Sequence, residues 1–135
     1  MFDKHKTILI IEDSATQALF LQSRLRHDGV EVICAWDGLV GVNMAYQVRP
    51  DLIVLDLQLP RLNGIEVCRQ VRATPEISQI PIIVLTGSAG ADIVAACKSA
   101  GATDYIHKDD LAYTVLVEVL KQMGIFPRTL DGVQA

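Results

Sequence analysis

The chain has 135 residues and a formal net charge of −4; half of its residues are hydrophobic and only 5% are aromatic. A chain of this length is expected to form one domain that buries roughly two-thirds of its unfolded surface. The acidic charge argues against a nucleic acid or an anionic membrane as partner, and the few aromatic residues argue against a base-stacking platform.

The cysteines and the hydropathy pattern indicate a cytoplasmic location. Cys34, Cys68 and Cys97 lack CxxC spacing, so they predict neither a disulfide framework nor a zinc site, and a reducing compartment fits them best. No apolar run approaches the length of about 18 residues that a membrane span requires, and no signal-peptide core follows the charged start of the chain.

Five aliphatic segments are predicted to be buried strands. The central one contains four consecutive apolar residues, Leu52 to Leu55, and ends on a carboxylate, Asp56. Such a run without alternation is typical of a parallel strand that is covered on both faces. The predicted strands are 7–11, 31–35, 52–55, 81–85 and 103–106.

Each predicted strand is followed by a segment with helical periodicity. Ser14 and Gln17 form a capping-box pattern at the start of the first helix, which is predicted to end at Gly29. The second helix is predicted over 38–48, and Asn63 with Glu66 can cap the third.

The last two helices are predicted to end at Gly101 and Gly124, and the final one to begin near Asp109 or Asp110. The residues predicted to form the buried helix faces are Ala18, Leu21, Leu25, Val40, Met44, Val48, Val67, Cys68, Val71, Ile93, Ala96, Cys97, Ala100, Leu116, Val119, Leu120 and Met123.

The alternation of five strands with five helices predicts an α/β fold with a doubly wound parallel sheet. Residues 124–135 lack periodicity and contain Pro127 and Gly132. We therefore expect one domain over residues 1–123, followed by a flexible tail or linker stub over 124–135.

Polar side chains follow four of the five predicted strands. The carboxyl ends of parallel strands lie on one side of a sheet, so we expect Glu12, Asp13, Asp56, Thr86 and Lys108 to lie close together. Carboxylates so close raise one another's pKa unless a cation neutralises them, and oxygen ligands favour a hard ion such as Mg²⁺.

The same set of side chains suits phosphoryl transfer. A carboxylate such as Asp56 can act as a nucleophile, and a metal ion beside it can polarise the incoming phosphoryl group. Thr86 and Lys108 then supply the hydroxyl and the ammonium that meet the phosphate oxygens, and Gly87 leaves room for the group.

In these features the chain resembles the receiver domains of bacterial two-component response regulators, the CheY-like family. The matching residues are the acidic pair Glu12 and Asp13, Asp56 within Leu-Asp-Leu-Gln-Leu-Pro, Gly64, Thr86, and Tyr105 three residues before Lys108. The resemblance covers roughly residues 6 to 123. It implies the flavodoxin-like sheet with strand order 2-1-3-4-5.

The resemblance implies a role for each matching residue. Asp56 would accept a phosphoryl group from a phosphohistidine of a sensor histidine kinase or a phosphotransfer protein. Asp13, Asp56 and the backbone carbonyl of Gln58 would bind Mg²⁺ (or Mn²⁺) directly, and Glu12 through water. Lys108 would pair with the phosphoryl oxygens.

The resemblance also implies a conformational switch. Thr86 would move to hydrogen-bond the phosphoryl group, and Tyr105 would rotate inward and change the face formed by the last two helices and the last strand, to control a downstream protein or form a dimer on phosphorylation. Gln58 and Ser88 would tune the phosphoryl lifetime. The protein is not expected to be a conventional enzyme, although it would catalyse its own phosphorylation and dephosphorylation.

One residue departs from the common family pattern. Many receivers have a proline with a cis peptide bond after the lysine, whereas here Asp109 follows Lys108. The geometry of the following loop is therefore not implied by the resemblance, and Asp109 is interpreted as a cap of the final helix.

Three other functions remain open at this point. A flavodoxin-type electron carrier would share the fold, but it needs a glycine- and hydroxyl-rich phosphate loop where this chain has Glu12-Asp-Ser-Ala-Thr16. A haloacid-dehalogenase-like phosphatase needs a second acid where this chain has Gln58. A receiver-like module that signals without phosphorylation would not require the complete set of acids, threonine and lysine.

Overall fold

The computed structural model describes residues 5–59, 61–87 and 90–126. Strands and helices alternate throughout this part of the chain, with one short 3₁₀ turn at Pro75–Ile77. The elements are β1 (Lys6–Ile11), α1 (Ala15–Leu25), β2 (Val30–Ala35), α2 (Gly38–Val48), β3 (Leu52–Asp56), α3 (Gly64–Ala73), β4 (Ile82–Thr86), α4 (Ala91–Ala100), β5 (Asp104–His107) and α5 (Ala112–Gln122).

The five strands form one parallel sheet in the order β2-β1-β3-β4-β5. This order confirms the predicted doubly wound fold. It places β3 at the centre of the sheet, with β1 on one side and β4 on the other. The carboxyl ends of β1, β3, β4 and β5 are therefore neighbours, although these strands are far apart in the sequence.

Successive residues of a strand point alternately into two hydrophobic layers, one on each face of the sheet. Leu9 and Ile11 of β1 point into the layer formed with α2, α3 and α4, whereas Ile8 and Ile10 point into the layer formed with α1 and α5. All four side chains are completely buried. This arrangement explains why the strands read as unbroken apolar runs rather than as alternating patterns.

The first helix is shorter than predicted. Ser14 caps it as expected, accepting the Gln17 N–H at 3.2 Å, but the helix ends at Leu25 rather than at Gly29. Gly29 instead lies in a turn with φ of 79°, and its carbonyl accepts the Lys6 N–H at 2.9 Å. Gly29 therefore marks the turn that leads into β2, not the end of α1.

The buried face of α2 was predicted only in part, because Val40 and Met44 pack against the core without being fully buried. Small residues, Gly38, Gly41 and Ala45, face the core, whereas Val48 is exposed. A Cβ at Gly41 would lie 2.6 Å from Cδ1 of Ile11. Because α2 approaches the sheet this closely, larger side chains are displaced from its inner face.

The end of the domain also differs in detail. Helix α5 begins at Ala112 rather than at Asp109 or Asp110, because Asp109 caps the preceding turn. Beyond residue 123, Ile125 and Phe126 are buried against the α1 and α5 layer. The predicted boundary after 123 stays a prediction, and residues 127–135 of the predicted tail lie outside the described residues.

None of the helices in the described part of the chain is long and apolar enough to span a membrane.

Candidate functional site

An open cleft of about 690 Å³ lies at the carboxyl edge of the sheet. The turns that follow β1, β3, β4 and β5 form its walls. The loop ends are fixed by the sheet itself, since the Lys108 N–H donates to the Thr86 carbonyl at 2.8 Å and the Glu12 N–H to the Ala35 carbonyl at 2.9 Å. The structure thus brings together the five polar residues predicted to meet here: Glu12, Asp13, Asp56, Thr86 and Lys108.

Three carboxylates crowd one side of the cleft. One oxygen each from Glu12, Asp13 and Asp56 lies within 4.8 Å of the others. Glu12 is buried, Asp56 is partly buried and Asp13 is exposed. All three ligand atoms are oxygens, and one of the three residues is open to solvent. Such a group fits a hard divalent cation such as Mg²⁺.

Glu12 is the most constrained of the three acids, with only 4% of its surface exposed. Burial raises its pKa most, and the charge of Asp56 raises it further. The Ser14 N–H, which donates to its Oε2 at 3.2 Å, and the ammonium of Lys108 oppose this rise without cancelling it. A cation at the acidic group would remove the repulsion between Glu12 and Asp56.

Lys108 contacts three side chains across the cleft. Its Nζ lies 2.8 Å from Oε1 of Gln17, 3.4 Å from Oε1 of Glu12 and 3.9 Å from Oδ1 of Asp56. The contact with Asp56 is thus an ion pair without hydrogen-bond geometry. The ammonium faces Asp56 across a short gap.

The loop after Asp56 is a tight turn that requires a glycine. The Gly64 N–H donates to the Leu57 carbonyl at 2.8 Å, and a Cβ on Gly64 would lie 2.6 Å from Cα of Leu57. The Gln58 N–H points back to Oδ1 of Asp56 at 3.4 Å. Asn63 then caps α3 by accepting the Glu66 N–H at 3.0 Å, as the sequence predicted.

The predicted switch residues lie on neighbouring strands. Thr86, only 1% exposed, ends β4 and lines the cleft, whereas Tyr105 of β5 packs against the layer formed by α3 and α4. Burial raises the pKa of the Tyr105 hydroxyl. Gln58 lines the cleft as well. Ser88 lies outside the described residues.

Sequence reasoning missed Gln17 as a member of the site. It was assigned to a capping box, but the Ser14 N–H that its side chain would accept is bound by Glu12 instead. The Gln17 side chain is therefore available to accept the Lys108 ammonium. Its position one helical turn after the acidic pair was the signal that could have revealed it.

The loop after Lys108 contains no cis peptide bond. Oδ1 of Asp109 accepts the Leu111 N–H at 2.9 Å, so this aspartate caps the turn that leads into α5. Its Oδ2 also lies 3.8 Å from Nδ1 of His107, whose other ring nitrogen is 3.2 Å from the Gly87 carbonyl. The loops after β4 and β5 are thus linked through His107.

The family model of the response regulator receiver domain matches residues 8–121. The chain belongs to this family. As a receiver domain it is a part of two-component signalling, and the predicted CheY-like fold is confirmed.

Relatives of the receiver domain agree with this assignment. The response regulator ArlR of Staphylococcus saprophyticus is 40% identical over 101 residues, which are 75% of this chain but only 44% of that protein. The receiver domain thus spans less than half the length of this curated relative.

Two solved structures show the same fold. The signal receiver domain of a DNA binding response regulator from Colwellia psychrerythraea has a TM-score of 0.82 and 28% identity, covering 90% of this chain and 99% of that one. The Mn(2+)-bound form of response regulator Rcp1 has a TM-score of 0.77 and 29% identity, covering 93% and 98%.

Proposed function

We propose that this receiver domain is a phosphorylation switch in which Asp56 is the phospho-acceptor. The observation that carries the proposal is that the Asp56 carboxylate lies close to both an acidic pair and an ammonium. Oxygens of Glu12 and Asp13 lie within 4.8 Å of an Asp56 oxygen, and Nζ of Lys108 lies 3.9 Å from Oδ1 of Asp56.

The proposed reaction moves one phosphoryl group onto Asp56. A carboxylate oxygen of Asp56 attacks the phosphorus of a phosphohistidine on a sensor histidine kinase or a phosphotransfer protein. The P–N bond breaks, and its electron pair returns to the imidazole while a P–O bond forms on Asp56. With acetyl phosphate as donor, a P–O bond breaks instead and acetate leaves.

The acidic group would hold a divalent cation, Mg²⁺ or Mn²⁺. We assign Asp13, Asp56 and the backbone carbonyl of Gln58 as direct ligands and Glu12 as a ligand through water. When bound, the cation supplies charge neutralisation and polarises the phosphoryl group. The donor set supports this assignment, and a relative of similar fold, Rcp1, is described in a Mn(2+)-bound form.

Lys108 and Thr86 would receive the phosphoryl oxygens. Both line the cleft, and both supply hydrogen-bond donors beside Asp56. Tyr105, on the strand next to Thr86, would then change position, which alters the surface of α4, β5 and α5. Gln58 and Ser88 would set the access of water to the phosphoryl group and hence its lifetime.

The altered surface would control a downstream protein or support a dimer on phosphorylation. The relative from Colwellia is named a receiver of a DNA binding response regulator, but nucleic acid binding by this domain itself is not part of the proposal, given its net charge of −4. The cytoplasm is the proposed location, since histidine kinases present their phosphohistidine there.

The intact mass of the protein tests the proposal. The native chain is incubated with acetyl phosphate and Mg²⁺, beside a sample with EDTA and beside the variant Asp56→Asn. We expect the mass of one added phosphoryl group on the native chain with Mg²⁺, and no addition in either control. An equal adduct on Asp56→Asn would refute Asp56 as the acceptor, and no adduct on any sample would refute the proposal and favour a module that signals without phosphorylation.

A further inference from the structure

The shortest contact of the Lys108 ammonium is with an uncharged side chain. Oε1 of Gln17 accepts a hydrogen bond from Nζ at 2.8 Å, against 3.4 Å to Glu12 and 3.9 Å to Asp56. Gln17 lies in the first turn of α1 and lines the cleft. We infer that Gln17 is a positioning residue that holds the ammonium of Lys108 off Asp56, so that a phosphoryl oxygen can enter between them.

The number of donors on Lys108 supports this inference. An ammonium group has three N–H donors. Gln17 and Glu12 provide acceptors for two of them, which leaves one N–H donor for Asp56 or for a phosphoryl oxygen. The gap of 3.9 Å is longer than a hydrogen bond from nitrogen to oxygen. The backbone of Lys108 is itself fixed by its bond to the Thr86 carbonyl, so the side-chain acceptors decide where Nζ lies.

The neutral charge of Gln17 matters in this position. Two carboxylates, those of Glu12 and Asp56, already lie within 4 Å of the ammonium, and both attract it toward the acidic side of the cleft. Gln17 opposes this attraction through a hydrogen bond alone and adds no charge that would repel an incoming phosphate. A glutamate there would be a fourth acid beside the phosphoryl position.

Loss of the Gln17 acceptor would slow phosphoryl transfer to Asp56, a consequence that rests on the proposed function. Without the Gln17 acceptor, the Lys108 ammonium can approach the Asp56 carboxylate and form a hydrogen-bonded ion pair with it. A carboxylate held by an ammonium is a weaker nucleophile, and the phosphoryl group must also displace the ammonium before it reaches Lys108. Loss of the acceptor should therefore slow the chemical step rather than weaken binding of the donor.

The variants Gln17→Met and Gln17→Glu separate these effects. Methionine keeps the length and helix propensity of glutamine but removes the acceptor, and glutamate restores an acceptor while adding a charge. Gln47→Met makes the same change on an exposed position of α2, away from the cleft, and serves as the matched control. Phosphorylation by acetyl phosphate with Mg²⁺ is followed over a range of donor concentrations.

For Gln17→Met we expect the maximal rate to fall by roughly fivefold to tenfold, which is the scale of one typical net hydrogen bond, with little change in the half-saturating donor concentration. For Gln17→Glu we expect the maximal rate to recover toward the native value and the half-saturating concentration to rise, because its charge repels the donor. Gln47→Met should behave as the native chain.

Three results would overturn the inference. These are an unchanged maximal rate in Gln17→Met, an equal fall in Gln17→Glu, and an equal fall in Gln47→Met. Each of them leaves the proposed function standing, because the native chain is still phosphorylated. Absence of phosphorylation on the native chain would instead show that the proposed function has failed, and with it the inference.

Discussion

At the scale of single residues, Glu12 is a buried carboxylate whose negative charge lowers the stability of the folded protein. Its pKa is raised, chiefly by burial and then by Asp56, so the folded state binds a proton at Glu12 more readily than the unfolded state does. Between the ordinary carboxyl pKa of 4.5 and the raised folded value, stability therefore decreases as pH increases. Above that window, the charged Glu12 is a constant destabilising contribution.

We predict that Glu12→Gln stabilises the metal-free protein at pH 7 by about 1 kcal/mol, the scale of a typical single-residue effect. Glutamine keeps an acceptor for the Ser14 N–H but has no charge. The gain should shrink as pH falls toward 4.5, where native Glu12 is protonated as well. Urea unfolding in EDTA at several pH values measures it, with the exposed Glu118→Gln as control. A gain that grows on acidification would contradict the stated cause.

The identities of the site residues were predictable from sequence, but their contacts were not. A carboxylate, a threonine or a lysine at the end of a buried parallel strand has only one edge of the sheet to occupy. Which acceptor Lys108 selects depends on distances of tenths of an ångström between α1 and β5. The pattern around Ser14 favoured a reciprocal cap, and only the structure shows that Glu12 takes the Ser14 N–H.

At the scale of elements, the loop after β3 is held to the start of α2. Nε of Arg61 donates to Oδ2 of the buried Asp37 at 3.0 Å. Asp37 also caps α2 by accepting the Val40 N–H at 2.8 Å, and this bond above all, followed by Arg61, lowers its pKa. Arg61 adopts φ of 68°, a conformation unfavourable for residues other than glycine.

We predict that Arg61→Ala is less stable than Arg61→Gly by about 1 kcal/mol, the usual penalty for a left-handed backbone at a residue with a Cβ. Both variants lose the bond to Asp37, so the difference between them isolates the backbone conformation. Urea unfolding of the two variants and the native chain measures it. Equal stability of alanine and glycine would show that the loop relaxes out of this conformation.

Arg72 of α3 joins four parts of the fold. It donates to the carbonyls of Gly101, Ser78 and Ile80 at 2.9, 3.1 and 2.7 Å, and to Oγ1 of Thr103 at 3.3 Å. These acceptors belong to the end of α4, the turn before β4 and the start of β5. The network therefore holds α3 to the end of α4, to the turn before β4 and to the start of β5.

We predict that Arg72→Met lowers the free energy of unfolding by about 2 kcal/mol, since it leaves partly buried carbonyls without donors. Arg69→Met, on the same helix, removes only an exposed ion pair with Glu66 and should change stability by less than about 0.5 kcal/mol. Thermal or urea unfolding of the two variants and the native chain measures both losses of stability. Similar losses in both would mean that the network contributes no more than a surface contact.

The helix faces show where sequence reasoning fails at this scale. The faces of α3 were predicted well, because Val67, Cys68 and Val71 are large enough to dominate its pattern. Helix α2 lies so close to the sheet that only small residues fit on the side that faces it. Its larger side chains therefore lie at the edges of that buried face. Hydrophobic periodicity alone cannot distinguish a helix packed through glycines from one packed through valines.

At the scale of the whole molecule, hydrophobic packing continues beyond α5 to Phe126. The N–H groups of Ile125 and Phe126 donate to the Leu120 carbonyl at 2.9 and 3.3 Å, and the Phe126 ring stacks on His27 with centroids 5.2 Å apart. Phe126 is only 5% exposed. The residues after α5 thus cover the end of the sheet opposite the cleft, beside the turn that leads into β2.

We predict that Phe126→Ala lowers the free energy of unfolding by about 3 kcal/mol, as expected for removal of a buried aromatic ring. Phe20→Ala is the matched control, because Phe20 is 44% exposed and contacts mainly Tyr113 and Arg24. Its loss should be clearly smaller. An equal or smaller effect of Phe126→Ala would show that the chain beyond α5 is not part of the cooperative domain.

The site of the phosphoryl group decides whether Asp56 is the acceptor. The native chain is phosphorylated with acetyl phosphate and Mg²⁺, treated with borohydride to reduce the acyl phosphate to an alcohol, digested and sequenced by mass spectrometry. We predict homoserine in place of Asp56, with Asp13 and Glu12 unmodified and no reduction in a sample without acetyl phosphate. Reduction at Asp13 or at another acid, with Asp56 intact, would contradict it.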